Sequence, residues 1–175
     1  MNLGSLSLSR KRRLIFKWSA FVAALAFAIV IDLVTKGLAE QHLSMGEVHK
    51  VLPFFYLERT ANSGVAFGLF GGKSGFIIVA NVVTMLIILA YVMYERRPIL
   101  AGISGGLIIG GSLGNFVQRL TGDNRVTDFL KFPGWPNFNM ADVFLVVGIC
   151  AIVLGLIIET IHVYKAGRKE TPASR

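Results

Sequence analysis

Four apolar runs constrain this 175-residue chain more than any other feature. They lie at about 17–31, 74–94, 98–118 and 143–158, and none carries a charge in its interior. A helix needs roughly 20 such residues to cross a bilayer. The first and last runs are short and reach that length by borrowing interfacial residues. The expected spans are therefore about 17–36, 74–94, 98–119 and 142–162, with tails at 1–16 and 163–175. Composition agrees, since 54% of residues are hydrophobic and only 16% charged, more apolar than a soluble core of this size requires. The expected architecture is one all-α membrane domain, residues 1–175, with four transmembrane helices.

The basic residues set the orientation. The N-terminal stretch, the short connection between runs two and three, and the tail hold eleven Lys/Arg against three acids. The two longer connections hold seven against seven. The whole formal charge of +8 thus lies on one side, which places both termini in the cytoplasm and the long connections outside. A basic rim spread over three cytoplasmic pieces follows from topology alone, so nucleic acid is not the expected partner. The basic-then-apolar start resembles a cleavable secretion signal. Retention is expected instead, because four spans put both termini among the basic residues and keep Lys17 and Trp18 as interface anchors.

The first outer connection contains Val48-His-Lys-Val-Leu-Pro-Phe-Phe-Tyr-Leu-Glu-Arg59, rich in β-branched and aromatic residues. It reads as a small extracytoplasmic β element at about 40–62, lying on the bilayer surface and walling a cleft. The second, 120–141, is rich in Gly, Pro and Asn and reads as loop. Residues 165–175 read as disordered. In the third span Gly102, Gly106, Gly110 and Gly114 recur every four residues, a ridge on which another helix backbone can approach closely. Beside it, Gly111, Asn115 and Arg119 form a second row ending at the outer interface. The single cysteine, Cys150, lies inside the fourth run and reads as packing.

Around the start of that run stand two acids, Asp128 in Arg125-Val-Thr-Asp-Phe and Asp142 in Phe138-Asn-Met-Ala-Asp. Carboxylates at a membrane edge are expensive, so a pair brought to one edge points to a shared proton and an activated water. Each also has a structural reading. Asp142 opens a helix and would cap it, with Asn139 capping the same end. Asp32 and Lys36, four residues apart, read as a salt bridge closing the first helix. Arg119 alone would be an arginine reaching toward phosphates. Asn62, before Ser63-Gly64, would alone mean a turn, in which Gly64 and Gly68 permit unusual backbone angles or close approach. Asp128, among Val126, Phe129 and Phe132, lacks such an alternative. The histidines are scattered, and no HExxH or CxxC pattern occurs, so no metal is expected.

Taken together, Asp32-x-x-Thr-Lys36, Asn62-Ser-Gly-Val-Ala-Phe67, Gly114-Asn-x-x-x-Arg119, Val126-x-Asp128-Phe and Phe138-Asn-x-Ala-Asp142 resemble bacterial lipoprotein signal peptidase, or signal peptidase II. The resemblance runs in order from the first span to the start of the fourth. It implies an intramembrane aspartic endopeptidase of the bacterial inner membrane, with its active site at the outer face. By resemblance Asp128 and Asp142 are the catalytic dyad. Asn62, Gly64, Asn115, Arg119 and Asn139 bind substrate or order the site, supported by Asp32 and Lys36 from the first span. The implied substrate is a diacylglyceryl-modified prolipoprotein presented with membrane lipid and cut before its lipidated cysteine. Globomycin is the implied inhibitor. No cofactor is expected, and a monomer is. Two positions depart from the family pattern: Gln118 stands where an acid commonly precedes the arginine, and Val65 where Ala commonly follows the glycine. Gln118 removes a neighbour that could have paired with Arg119. An ion-coupled carrier or a non-catalytic scaffold would fit four spans as well. A carrier, however, would want its ionisable residues deep in a span, whereas these lie at the outer rim.

Overall fold

The computed structural model describes residues 3–64, 74–121 and 124–170. Four helices and three strands follow in the order α1 (Leu3–His42), β1 (Val48–Leu52), β2 (Phe55–Asn62), α2 (Ser74–Tyr94), α3 (Pro98–Thr121), β3 (Val126–Lys131) and α4 (Met140–Glu170). All four helices are long and apolar enough to cross a membrane.

At 40 residues, α1 spans about 60 Å at 1.5 Å per residue, twice the hydrocarbon thickness. The stretch expected as a tail is helical from Leu3, because Leu, Lys and Arg sustain a helix without tertiary packing. Likewise α4 continues to Glu170, through residues expected to be disordered. Once nucleated in the bilayer, a helix extends at little cost through Tyr164, Lys165 and Ala166.

The spine of the bundle is α3, which packs against the three other helices. It is 72% buried in its most apolar window, against 11 to 22% for the others. Its glycine ridge lies on α1. A Cβ at Gly102 would stand 2.5 Å from the Lys17 carbonyl oxygen, and one at Gly110 would stand 2.8 Å from the Ala28 Cβ. At Gly106 and Gly114 it would overlap the Phe21 carbonyl oxygen and the Asp32 carboxylate. Such close approach is open only to glycine and allows helices to pack without a hydrophobic driving force. On other faces, Gly111 of α3 meets the Ala141 carbonyl and Gly148 of α4 meets Ile108. Large apolar side chains of α1, α2 and α4 point outward, as lipid-facing surfaces do.

Lys17 is not a surface anchor. It is only 6% exposed, and its Nζ donates to the carbonyl oxygens of Val92 (2.8 Å) and Glu95 (2.6 Å). A cation there complements the negative end of α2. Nearby, Arg97 pairs with Glu95 and Glu159 and donates to the Gly155 carbonyl at 2.7 Å, joining the α2–α3 connection to α4.

The β element differs from expectation in its third member. The strands form one antiparallel sheet in the order β1-β2-β3, so the connection between α3 and α4, expected as loop, supplies a strand. Thr60 pairs with Asp128 and Asn62 with Val126, after an irregularity between Leu57 and Thr60. Beyond β3, Pro133 and Gly134 (φ 74°) turn the chain, with the Trp135 N–H bonded to the Phe132 carbonyl at 3.1 Å. Pro followed by Gly at positive φ is a type II turn pattern. The returning chain bonds Phe138 to Leu130 in both directions, and Phe132 stacks on Phe138. β3 and the first turn of α4 are thus bound into one unit.

Candidate active site

That unit carries both aspartates. Asp128 is 2% exposed on β3. Its Oδ1 accepts from the Asn139 side-chain amide at 2.6 Å, and its Oδ2 from the Asn62 amide at 2.8 Å. Both amides are locked the other way round as well. Asn62 Oδ1 accepts the Gly64 N–H at 2.9 Å, and Asn139 Oδ1 accepts the Asp142 N–H at 3.2 Å. Neither amide can flip without losing a bond, so each presents its NH2 to the carboxylate.

Asp142 accepts the Asn139 backbone N–H at 3.1 Å. With the reciprocal bond from its own N–H to Asn139 Oδ1, this forms a capping box at the start of α4. Its other oxygen accepts from Asn115 Nδ2 at 2.9 Å. The capping role read from the sequence is therefore real, and it leaves Asp142 facing the same cleft as Asp128. Asn139 joins the two, holding Asp128 with its side chain and Asp142 with its backbone.

Behind the aspartates lies a buried ion pair. Lys36 Nζ is 2.7 Å from Asp32 Oδ2, with the side chains 3% and 0% exposed. The pair does more than close α1. Lys36 donates to Asn115 Oδ1 at 2.8 Å, fixing the amide that holds Asp142, and Asp32 Oδ1 accepts the Ala141 N–H at 2.9 Å. One carboxylate on α1 thus orients α3 and caps α4.

Burial pushes the Asp128 carboxyl up to about 6. The Asn62 and Asn139 amides pull it down, while the charge of Asp142 adds to the rise.

Asp128, Asp142, Asn62, Gly64, Asn115, Arg119 and Asn139 all line one cleft of about 380 Å³. Asp32 and Lys36 do not line it. Buried Arg119 reaches the carbonyl oxygens of Gly64 (3.4 Å) and Asn115 (3.5 Å). Its Nε has no hydrogen-bond partner among the described residues. Gln118 turns away from it. Gln118 accepts the Thr127 N–H and donates to Thr127 Oγ1 and Glu40, each at 3.0 Å, tying β3 to α3 and α1. Val65, Phe67 and Gly68 lie outside the described residues.

The sequence reading missed the rest of the lining, which includes Ile77 and Asn81 of α2, Trp135 to Phe138, and Leu145 and Val146 of α4. A lone amide in an otherwise apolar run was the one available signal, at Asn81. α2 and α4 both pack on α3 but form no interface with each other among the described residues. The cleft is therefore lined by α2, α3 and α4, with polar groups beside the sheet and an apolar part at Ile77, Leu145 and Val146.

Fold and site together define a multi-pass membrane protein with two carboxylates, one buried and one half-buried, lining one cleft. The family model described as signal peptidase (SPase) II matches residues 24–158. Proteins named lipoprotein signal peptidase are similar along most of the chain. That of Halothermothrix orenii is 35% identical over 129 residues, covering 73% of this chain and 88% of the relative. That of Mesorhizobium japonicum is 35% identical over 147 residues, covering 78% and 84%, and that of Caldanaerobacter subterraneus is 33% identical over 148 residues, covering 83% and 97%. Two solved structures of a bacterial membrane enzyme share the fold. One has a TM-score of 0.76 at 23% identity, covering 89% of this chain and 95% of that one. The other has a TM-score of 0.71 at 24% identity, covering 79% and 92%. The chain belongs to the signal peptidase II family, a family of membrane-embedded peptidases.

Proposed function

We propose that this protein is an aspartic endopeptidase that removes signal peptides from diacylglyceryl-modified prolipoproteins, cutting before the lipidated cysteine. The observation that carries the reading is the convergence of Asp128 and Asp142 on one cleft through Asn139.

Two facing carboxylates in a low-dielectric cleft do not both ionise cheaply, so the dyad holds one proton. The ionised carboxylate takes a proton from water as the water oxygen bonds to the scissile carbonyl carbon. The protonated partner stabilises the developing oxyanion. Collapse of the adduct breaks the C–N bond, and a dyad proton passes to the leaving amine. Neither a metal nor a covalent intermediate is required for this balance. Substrate that excludes water from the cleft strengthens the burial that already lifts Asp128. The amides of Asn62, Asn139 and Asn115 keep both carboxylates in place and need no reorganisation during the reaction.

The bilayer supplies the rest of the recognition. A diacylglyceryl group confines the target cysteine to the interface, lowering the entropy cost of bringing the peptide to the dyad. The charge distribution supports an outward-facing active site with both termini in the cytoplasm. The three-stranded sheet then forms a cradle over the peptide, and globomycin competes for the same cleft. Four helices carrying their own dyad support a monomer.

The test is mass analysis of products from a diacylglyceryl-modified prolipoprotein and its unlipidated counterpart, each incubated with the purified protein in lipid. The expected product begins with the lipidated cysteine, and the unlipidated chain is spared. Cleavage elsewhere, or equal cleavage of both, contradicts the reading.

A further inference from the structure

Asn81 is an unexplained polar group on the α2 side of the cleft. It lies seven residues into α2 from Ser74, about 10 Å along the helix at 1.5 Å per residue. Apart from Tyr91 farther along the helix, the inward stripe of α2 is apolar: Ile77 is buried and lines the cleft, Val92 is fully buried, and Met85 and Ile88 pack on the core. Thr84, the neighbouring polar residue, satisfies its hydroxyl on its own helix through the Ala80 carbonyl at 2.9 Å. Asn81 does not. Its side chain makes no hydrogen bond among the described residues and opens into the cleft between α2 and α4. Asn81 is half-buried, and polar groups in spans face cavities where they have partners.

We propose that Asn81 orients the substrate by donating a side-chain hydrogen bond to a substrate carbonyl oxygen at bilayer depth. The carbonyl belongs either to an ester of the diacylglyceryl group or to the peptide next to the cut. Both supply an acceptor that hydrocarbon leaves unsatisfied. The polar end of the cleft is already occupied by Asn62, Asn115 and Asn139 bonded to the dyad, which leaves Asn81 as the free donor on the α2 wall. The inference rests on the prolipoprotein reading above.

The test uses the full chain in lipid, with Asn81→Ala and Asn81→Leu and two lipidated substrates that differ only in ester or ether linkage of the lipid chains. A bond of about 1 kcal/mol formed in both ground and transition states raises KM by about three- to tenfold and leaves kcat nearly unchanged. That rise with the ester substrate in both variants is the expected result. If wild type shows the same penalty with the ether substrate and the variants add nothing to it, the acceptor is the ester. If the variants raise KM equally for both substrates, the acceptor is the peptide carbonyl. Thermal unfolding runs alongside, and both variants should melt at or above the wild-type temperature. Unchanged KM with both substrates overturns the proposal, as does a loss confined to kcat with a lowered melting temperature. Failure of wild type to cleave either lipidated substrate overturns the prolipoprotein reading itself.

Discussion

Replacing Asp32 by Asn tests how the site is held. In wild type Asp32 Oδ2 balances the Lys36 ammonium at 2.7 Å, and Oδ1 caps α4 through Ala141. An asparagine keeps an oxygen for the Ala141 N–H, so the cap, worth about 1 kcal/mol, survives. It turns an NH2 toward Lys36, leaving a cation that is 3% exposed without its counter-charge. Breaking a buried pair in this way costs about 3–5 kcal/mol. Adding Lys36→Met removes the stranded charge and leaves the Asn115 oxygen and the introduced NH2 as neutral groups, at about 1–3 kcal/mol. Asp32→Asn alone should therefore destabilise the protein by several kcal/mol, and the double variant should recover part of that loss. Reversible unfolding in mixed micelles measures both. A single-variant cost under 1 kcal/mol, or a double-variant cost equal to the sum of the singles, refutes a coupled pair at this position.

Three further outcomes follow from the same geometry. Gly106→Ala drives a methyl into the Phe21 backbone carbonyl, which cannot rotate away; a loss of about 1–3 kcal/mol is expected in the same unfolding assay. Asp128 titrates near 6 when folded, against 3.8 for the free group, so between those values the folded protein holds a proton that the unfolded chain releases. Stability should fall as pH rises from about 4 to 6, by up to about 3 kcal/mol in total, and unfolding of Asp128→Asn across that range should show a flatter profile. Gln118→Ala frees Thr127, the neighbour of Asp128, from α3; kcat should fall while the Asp128 titration, read by carboxyl-carbon NMR, broadens or moves.

The helices were legible because each meets the bilayer individually. A run of apolar residues long enough to span declares itself without reference to the rest of the chain, and the four-residue recurrence from Gly102 to Gly114 marks a tight interface before its partner is known. The partner was not legible: only the fold shows that α1 takes that ridge. β3 escaped for a related reason. Its six residues are flanked by turn formers, and its pairing partner β2 lies more than 60 positions away, so local composition reads as loop. The reading of residues 165–175 as disordered missed the end of α4, which continues as helix to Glu170. At the site, spacing put Asp32 with Lys36 and Asn139 with Asp142. It did not reveal that Lys36 grips Asn115 across the helix pair, that Asp32 caps α4, or that Gln118 faces Thr127 and not Arg119. Those contacts depend on how α1, α3 and α4 are set against one another.

The central claim is that Asp128 and Asp142 together activate water. Its most direct test is conversion of a diacylglyceryl-modified prolipoprotein by wild type, Asp128→Asn and Asp142→Asn, each first shown to be folded in lipid. The expected result is loss of cleavage in both folded variants, by a factor of at least about 100, the lower end of what positioned acid–base groups contribute. Cleavage near the wild-type rate by either folded variant would return that aspartate to a structural role and contradict the dyad.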